Sequence, residues 1–210
     1  DIETAIEQMR KAGMAKADKK AGRTAAEGLV AIKAGADGKS AAVVEVNSET
    51  DFVAKGDDFI NFASAIAERV LASKPADLDA LMAMPLTDGG ESVEDARKAL
   101  IAKLGENMSV RRFEIVESSG LVASYMHGSR IGVLVDLEGG DEALGKDLAM
   151  HIAASRPVCV SENEVDPALI EKEKEIFSAQ AAESGKPADI IEKMIGGRIK
   201  KYLKEITLLG

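Results

Sequence analysis

The chain alternates between short apolar runs of strand character and longer stretches with apolar residues at helical spacing. Val43-Val44-Glu45-Val46 and Val133-Leu134-Val135-Asp136 are β-branched or apolar runs bounded by turn residues, which predicts strands. Val110 to Val116 reads as a further strand. Phe59, Phe62, Ala63, Ile66, Ala67 and Val70 fall on one face of a helix, and Leu144, Leu148 and Ile152 do the same further on. Lys74-Pro75 and Arg156-Pro157 stop these helices, because proline lacks the N–H and clashes with the preceding turn. Residues 1–22 read as a helix followed by a basic connector.

These elements recur. Gly28-Leu29-Val30-Ala31 is echoed by Gly120-Leu121-Val122-Ala123, and Ala72-Ser73-Lys74-Pro75 by Ala154-Ser155-Arg156-Pro157. Each copy runs strand, turn, strand, helix, with Asp37-Gly38 and His127-Gly128 as the turns. Two helical pieces lie between the copies, one with Leu78, Leu81 and Met82, the other with Val93, Ala96, Leu100 and Leu104; Asp88-Gly89-Gly90 breaks them. Asp166-Pro167 then signals a helix start, and Ser184-Gly185-Lys186-Pro187 a sharp turn between two helices. The expectation is an α+β fold: two related subdomains of antiparallel sheet plus helices, and a protruding antiparallel coiled-coil hairpin. The boundaries expected are 1–22 for a terminal helix and linker, 23–118 and 119–160 for the two subdomains, and 161–203 for the hairpin. A last strand, Glu205 to Leu209 (within 204–210), would complete the second subdomain.

Composition narrows the function classes. With 210 residues and 46% hydrophobic content the chain can bury a sizeable core. A net charge of -9 argues against direct nucleic-acid binding, which calls for a basic surface. No apolar run is long enough to span a membrane. The single Cys159 excludes an internal disulfide and fits a reducing cytoplasm. Both ends read as cut, giving the expectation of a piece of a longer protein.

Catalytic patterns are scarce: there is no phosphate-binding glycine loop and no nucleophile elbow. Cys159 sits between valines and reads as a small buried hydrophobe; His151 and His127 lack the companions of a metal site. Glu49 and Asp51 could form a carboxylate pair, but nothing beside them suggests a substrate pocket. No catalytic residue, metal or cofactor is assigned. The segment Asn47 to Lys55 stands out instead. It reads as a loop leaving a strand end, with an acid beside Phe52 in a chain that is only 3% aromatic. An exposed phenylalanine forgoes about 1.5–3 kcal/mol of burial, so Phe52 either folds into its own core or is held out for a partner. The second copy has Leu137-Glu138-Gly139-Gly140-Asp141 at this point and no aromatic, which favours contact.

Thr50-Asp51-Phe52-Val53-Ala54-Lys55 resembles a signature of the translation elongation factor Ts family. So do Leu104-Gly105-Glu106-Asn107-Met108 with Arg111-Arg112, Ser124-Tyr125-Met126-His127-Gly128 with Arg130-Ile131-Gly132, Ala149-Met150-His151-Ile152-Ala153-Ala154, and Ser184-Gly185-Lys186-Pro187. The resemblance runs along the whole chain in order. It implies a guanine nucleotide exchange factor for the GTPase elongation factor Tu, acting in the cytoplasm without an active site of its own. It further implies that Thr50, Asp51, Phe52 and Val53 enter the partner beside its magnesium site, with Phe52 as a wedge. Tyr125 and His127 would make a second contact, and Leu104 and Gly105 a third. Relative to the family pattern, only the last helix of a ubiquitin-associated-like N-terminal domain is recognisable, and the C-terminal module is absent. A binding scaffold that uses the helical hairpin is the alternative, and the hairpin could pair with a second copy, with the partner or with nothing.

Overall fold

A computed structural model describes all residues, 1–210. In chain order the elements are α1 (Ile2–Lys20), β1 (Glu27–Ala34), β2 (Ser40–Ser48), α2 (Asp51–Ala54), α3 (Asp57–Ser73), α4 (Leu78–Ala83), α5 (Val93–Leu104), β3 (Met108–Glu117), β4 (Leu121–His127), β5 (Ile131–Leu137), α6 (Glu142–Ser155), α7 (Pro167–Ala182) and α8 (Ala188–Ile206). A single 3-10 turn, Glu162–Glu164, precedes α7. The chain is α+β, as its pattern predicts. It divides into two compact units, residues 1–150 and 151–210. No helix is long and apolar enough to cross a membrane.

In the first unit β1, β2 and β3 form an antiparallel sheet in that order. Side chains alternate across a strand, so Leu29 and Ala31 of β1 and Ala42, Val44 and Val46 of β2 share one face. The apolar stripe of α3 packs there: Phe59, Phe62, Ala63, Ile66, Ala67 and Val70 are all buried. Strand β3 joins this face only because its register slips. Glu45 lies opposite Arg112, but Val46 lies opposite Val110, leaving Arg111 as the extra residue of a bulge. The slip lets Met108, Val110, Phe113 and Ile115 all reach the core despite the odd spacing between 110 and 113. It also sends both Arg111 and Arg112 to Glu45, at 3.7 and 2.7 Å.

The other face of β1 meets the β4–β5 hairpin. A Cβ on Gly132 would come within 2.8 Å of Val30 Cγ1 and 3.2 Å of Ile32 Cδ1, and the Val30 N–H donates to the Ser129 carbonyl at 2.8 Å. The hairpin is a two-stranded antiparallel sheet. Gly145 brings α6 against it, where a Cβ would stand 2.5 Å from Ala123 Cβ. Gly145 and Ala149 form the buried side of α6, whereas Leu144, which the helical spacing places on the inner face, is 46% exposed. The close approach of backbone at Gly145 turns the helix so that small residues, not Leu144, face the sheet.

The internal repeat extends to the backbone. A Cβ on Gly28 would lie 2.2 Å from the Val46 carbonyl oxygen, and one on Gly120 would lie 2.1 Å from that of Leu137. Both copies therefore open on a glycine because the neighbouring strand leaves no room for a side chain. Lys74 and Arg156, each just before its proline, are the two non-glycine residues with positive φ, at 47° and 50°. Each closes its helix with a left-handed residue whose N–H donates to the carbonyl four back, Val70 or Ile152.

In the second unit α7 and α8 form an antiparallel helical hairpin. Asp166 caps α7 through the Ala168 N–H at 2.9 Å, with Pro167 in the first turn, and Gly185 turns the chain at φ 67°. Arg198 stacks over the Phe177 ring at 5.6 Å and donates to Gln180 Oε1 at 2.8 Å. The final strand expected at Glu205–Leu209 does not form. Helix α8 continues through Ile206, because Thr207 donates its hydroxyl to the Leu203 carbonyl and completes the last turn. Thr207 then makes an isolated parallel bridge to Cys159, and Leu208 and Leu209 donate to the carbonyls of Cys159 and Val160.

The β1–β2 contact yields a stability prediction. Gly28→Ala forces a Cβ into the Val46 carbonyl at a φ of 140° and lowers unfolding free energy by about 2–4 kcal/mol in urea titrations. Gly128→Ala, at an open turn with φ 62°, costs only about 1 kcal/mol. Equal losses at the two positions would refute this account of the repeat.

Candidate functional site

The segment read as a loop is in part a helix. Strand β2 runs to Ser48, and after two residues Asp51–Ala54 make the single turn α2, followed at once by α3. Thr50 is its cap: the hydroxyl accepts from the Val53 N–H at 3.4 Å. The local pattern explains the turn, since a capping threonine followed at once by an acid, here Thr50 before Asp51, is a helix start with negative charge in the first turn. Four residues cannot hold a helix unaided, because nucleation costs more than one turn of hydrogen bonds returns. The turn therefore depends on what holds its ends.

One anchor is apolar. Ala54 is buried in the core beside α3, and Val53 packs against that core. Helical geometry then points the residue between Asp51 and Val53 the other way, and Phe52 is 85% exposed. The question raised by the sequence is answered: Phe52 does not belong to the core of this chain.

The second anchor is polar and comes from the connection between α5 and β3. Glu106 accepts from both the Thr50 N–H, at 3.0 Å, and the Thr50 hydroxyl, at 2.7 Å. In the opposite sense Glu49 Oε1 accepts from the Asn107 N–H at 2.6 Å, and Arg23 approaches the same oxygen at 3.4 Å. Asn107 is buried and donates its side-chain amide to the Arg23 carbonyl at 2.7 Å. Lys20, at the end of α1, donates to the Gly105 carbonyl. Ser48, fully buried, donates to the Thr50 carbonyl at 2.9 Å. Two carboxylates, one from each segment, thus lace residues 49–50 to residues 106–107.

This lacing brings two of the expected contact patches together. Leu104 ends α5 half-buried against the core, and Gly105 caps the helix with φ 83° on the surface beside the Thr50 anchor. The third patch is on the tip of the β4–β5 hairpin. Tyr125 and His127 share one side of β4, with the Tyr125 hydroxyl 3.1 Å from His127 Nδ1 and the rings tilted at 6.2 Å. The same tip carries Arg130, which pairs with Glu27 at the start of β1, and Glu27 lies opposite Ser48 in the sheet. Positive charge on Arg130 reaches Asp51 as well. All three patches therefore stand at one end of the sheet, where β1 begins, β2 ends and β3 begins.

The electrostatics do not suit acid–base chemistry. Lys55, 2.6 Å away, holds the Asp51 carboxyl below its usual range through a hydrogen bond and through its charge. The Asn107 N–H holds Glu49 low, against a smaller opposing effect of burial and with help from Arg23. A general acid needs a raised pKa, and these two are ionised and committed to neighbours. No group of three or more His, Cys, Asp or Glu side chains is arranged to hold a metal ion. Sequence reasoning placed Glu106 and Asn107 in a motif but missed their part in holding the turn, and that of Glu49. The available signal was a pair of polar residues between a helix-ending glycine and an apolar strand, but their partners lie 56 and 58 residues away.

Glu49 gives a pH dependence. Its carboxyl is held low in the folded chain and returns to its ordinary value on unfolding, so its stabilisation is complete above about pH 4.3 and is lost as the pH falls through the lower folded value. Urea midpoints of the parent and of Glu49→Gln should differ near neutrality and converge as the pH is lowered through the depressed value of the folded carboxyl. A gap that stays constant with pH would mean that the carboxylate charge contributes nothing.

Comparison with known proteins completes the site. The elongation factor TS family model matches residues 49–210, beginning at the carboxylate that laces the turn. Proteins named elongation factor Ts match along the whole chain. The one from Thioalkalivibrio sulfidiphilus is 63% identical over 212 residues, and the chain covers 72% of its length. That from Methylococcus capsulatus is 59% identical over 211 residues, again with 72% of its length covered. That from Alkalilimnicola ehrlichii is 58% identical over 211 residues. With identity at this level over its full length, the chain belongs to the elongation factor Ts family.

Proposed function

We propose that this chain is a guanine nucleotide exchange factor for elongation factor Tu in the cytoplasm, and that α2 is the element that enters the GTPase. The observation that carries the reading is the geometry of Phe52. A phenylalanine stands 85% exposed on a turn that Val53 and Ala54 anchor to the core and its cap, Thr50, anchors to the α5–β3 connection. An aromatic held out on a fixed support binds with little ordering cost, and such an anchor contributes 2 kcal/mol or more to an interface.

Phe52 acts as a wedge between partner side chains. Asp51, kept ionised by Lys55, brings negative charge to the partner's magnesium edge. Magnesium joins the diphosphate oxygens to the GTPase, and disturbing its coordination weakens GDP binding. Leu104 and Gly105 support the same contact from the α5 end, and Tyr125 and His127 reach a separate part of the partner. The residues at one end of the sheet suit this division of labour. The factor needs no active site, because exchange is a linkage effect. It binds the nucleotide-free GTPase more tightly than the GDP complex, so GDP must weaken factor binding by the same ratio. It speeds nucleotide departure in either direction, and nucleotide supply sets the outcome.

The test is release of a fluorescent GDP analogue from elongation factor Tu. The parent chain accelerates release. Phe52→Ala lowers the acceleration by about thirtyfold, the equivalent of one lost hot spot, and leaves the circular dichroism spectrum unchanged. Asp51→Ala lowers it less. If both variants release GDP as fast as the parent, α2 is not the working element.

A further inference from the structure

We infer that Glu106 is a positioning residue for exchange, which sets the orientation of Phe52 through Thr50 without touching the partner itself. The inference rests on the exchange reading above and extends it to a residue outside the exposed turn.

Thr50 has three backbone and hydroxyl groups that could orient α2, and each is occupied. Its N–H and its hydroxyl proton go to the two oxygens of the Glu106 carboxylate, and its carbonyl accepts from Ser48. The hydroxyl oxygen is then left to accept from the Val53 N–H and start the helix. A two-point hold on one residue fixes rotation as well as position, as a single hydrogen bond cannot. Asp51–Ala54 is one turn long, so a change of angle at Thr50 passes undamped to Phe52 one residue beyond Asp51. Apolar packing of Val53 and Ala54 limits how far the turn can lift, but a small alanine and a half-buried valine do not define a rotation.

Glu106 is also placed to join two contact patches. It follows Leu104 and Gly105 directly, and the Gly105 carbonyl is itself held by Lys20. The reciprocal tie from Glu49 to Asn107 runs alongside. A load applied to the α5–β3 connection therefore reaches the Phe52 turn through two parallel carboxylate links. In this arrangement the patch at Leu104 and Gly105 orients the wedge as well as adding contact of its own.

The experiment combines a double-mutant cycle with hydrogen exchange. Glu106→Ala should lower the acceleration of GDP release about tenfold in the parent and by less than about twofold in a Phe52→Ala background, because residues that act as a unit are non-additive. Amide hydrogens of Val53, Ala54 and Lys55 should exchange faster in Glu106→Ala, while those of the α3 interior stay protected. Glu106→Gln should restore both readouts, since its carbonyl can accept from the Thr50 N–H and its amide can donate to the Thr50 oxygen. Glu106→Asp, one methylene shorter, keeps the charge but cannot span both atoms; it should be impaired, and it serves as the second variant if the alanine change destabilises the chain. Full additivity with Phe52→Ala, or unchanged exchange at residues 53–55, would overturn the inference. If Phe52→Ala alone leaves GDP release intact, the exchange reading fails instead, and hydrogen exchange alone then decides whether Glu106 orients the turn.

Discussion

The apolar seal between α3 and the sheet is the constraint from which the rest of the first unit follows. Phe59, Ile66 and Val70 are fully buried against Val44 and Val46, and each such side chain contributes about 1.5–3 kcal/mol by leaving water. With α3 fixed over β2, the chain between them has eight residues, 49–56, in which to leave a strand, turn and enter a helix. It does so by placing one helical turn over the core edge, with Ala54 in and Phe52 out. The exposed aromatic is thus a consequence of tight closure next to it.

Closure alone leaves the turn loosely oriented, and the polar lacing supplies what apolar packing does not. Hydrophobic contact is non-directional, whereas the paired hydrogen bonds from Glu106 to Thr50 and the one from Asn107 to Glu49 fix angles. The same division of roles recurs at the bulge in β3. Slippage at Arg111 keeps Val110 and Phe113 both in the core and directs two arginines onto Glu45. Burial alone would push the Glu45 carboxyl up, but hydrogen bonds and charge from Arg112, with Asn47 and Arg111, outweigh it and hold it low. Ionised carboxylates at Glu45, Glu49 and Asp51 therefore sit among basic partners around the end of the sheet.

The internal repeat shows which parts of this design are structural and which are added. Both copies keep a glycine where strands approach too closely for a Cβ, and both end their helix on a left-handed residue before proline. Those features recur because backbone geometry demands them. After its second strand the other copy has Gly139 and Gly140, both at positive φ, where this one has Thr50 to Val53. The scaffold closes either way, so the helical turn with its aromatic is an elaboration on one copy. The GTPase contact proposed above falls on that elaboration and not on the shared scaffold.

Much of this was legible in the chain itself. Period and punctuation located the strands, α3, α5 and the two helices of the hairpin, because amphipathic spacing and proline or glycine stops are local properties. The exposure of Phe52 was posed as a question by composition and by the mismatch between the repeat copies. Tertiary structure decided what local pattern cannot express. The Asp51–Ala54 segment is helical because core packing and Glu106 hold a turn too short to form alone. The stretch after Leu203 remains helical because Thr207 bonds back into α8, although its apolar residues read as a strand. Leu144 faces outward because Gly145 permits a closer approach than leucine would. Above all, the carboxylates that orient the exposed turn find their partners more than fifty residues away. Sequence spacing carries no record of such pairs, since a hydrogen bond is specified by direction and distance in space, which only the folded chain supplies.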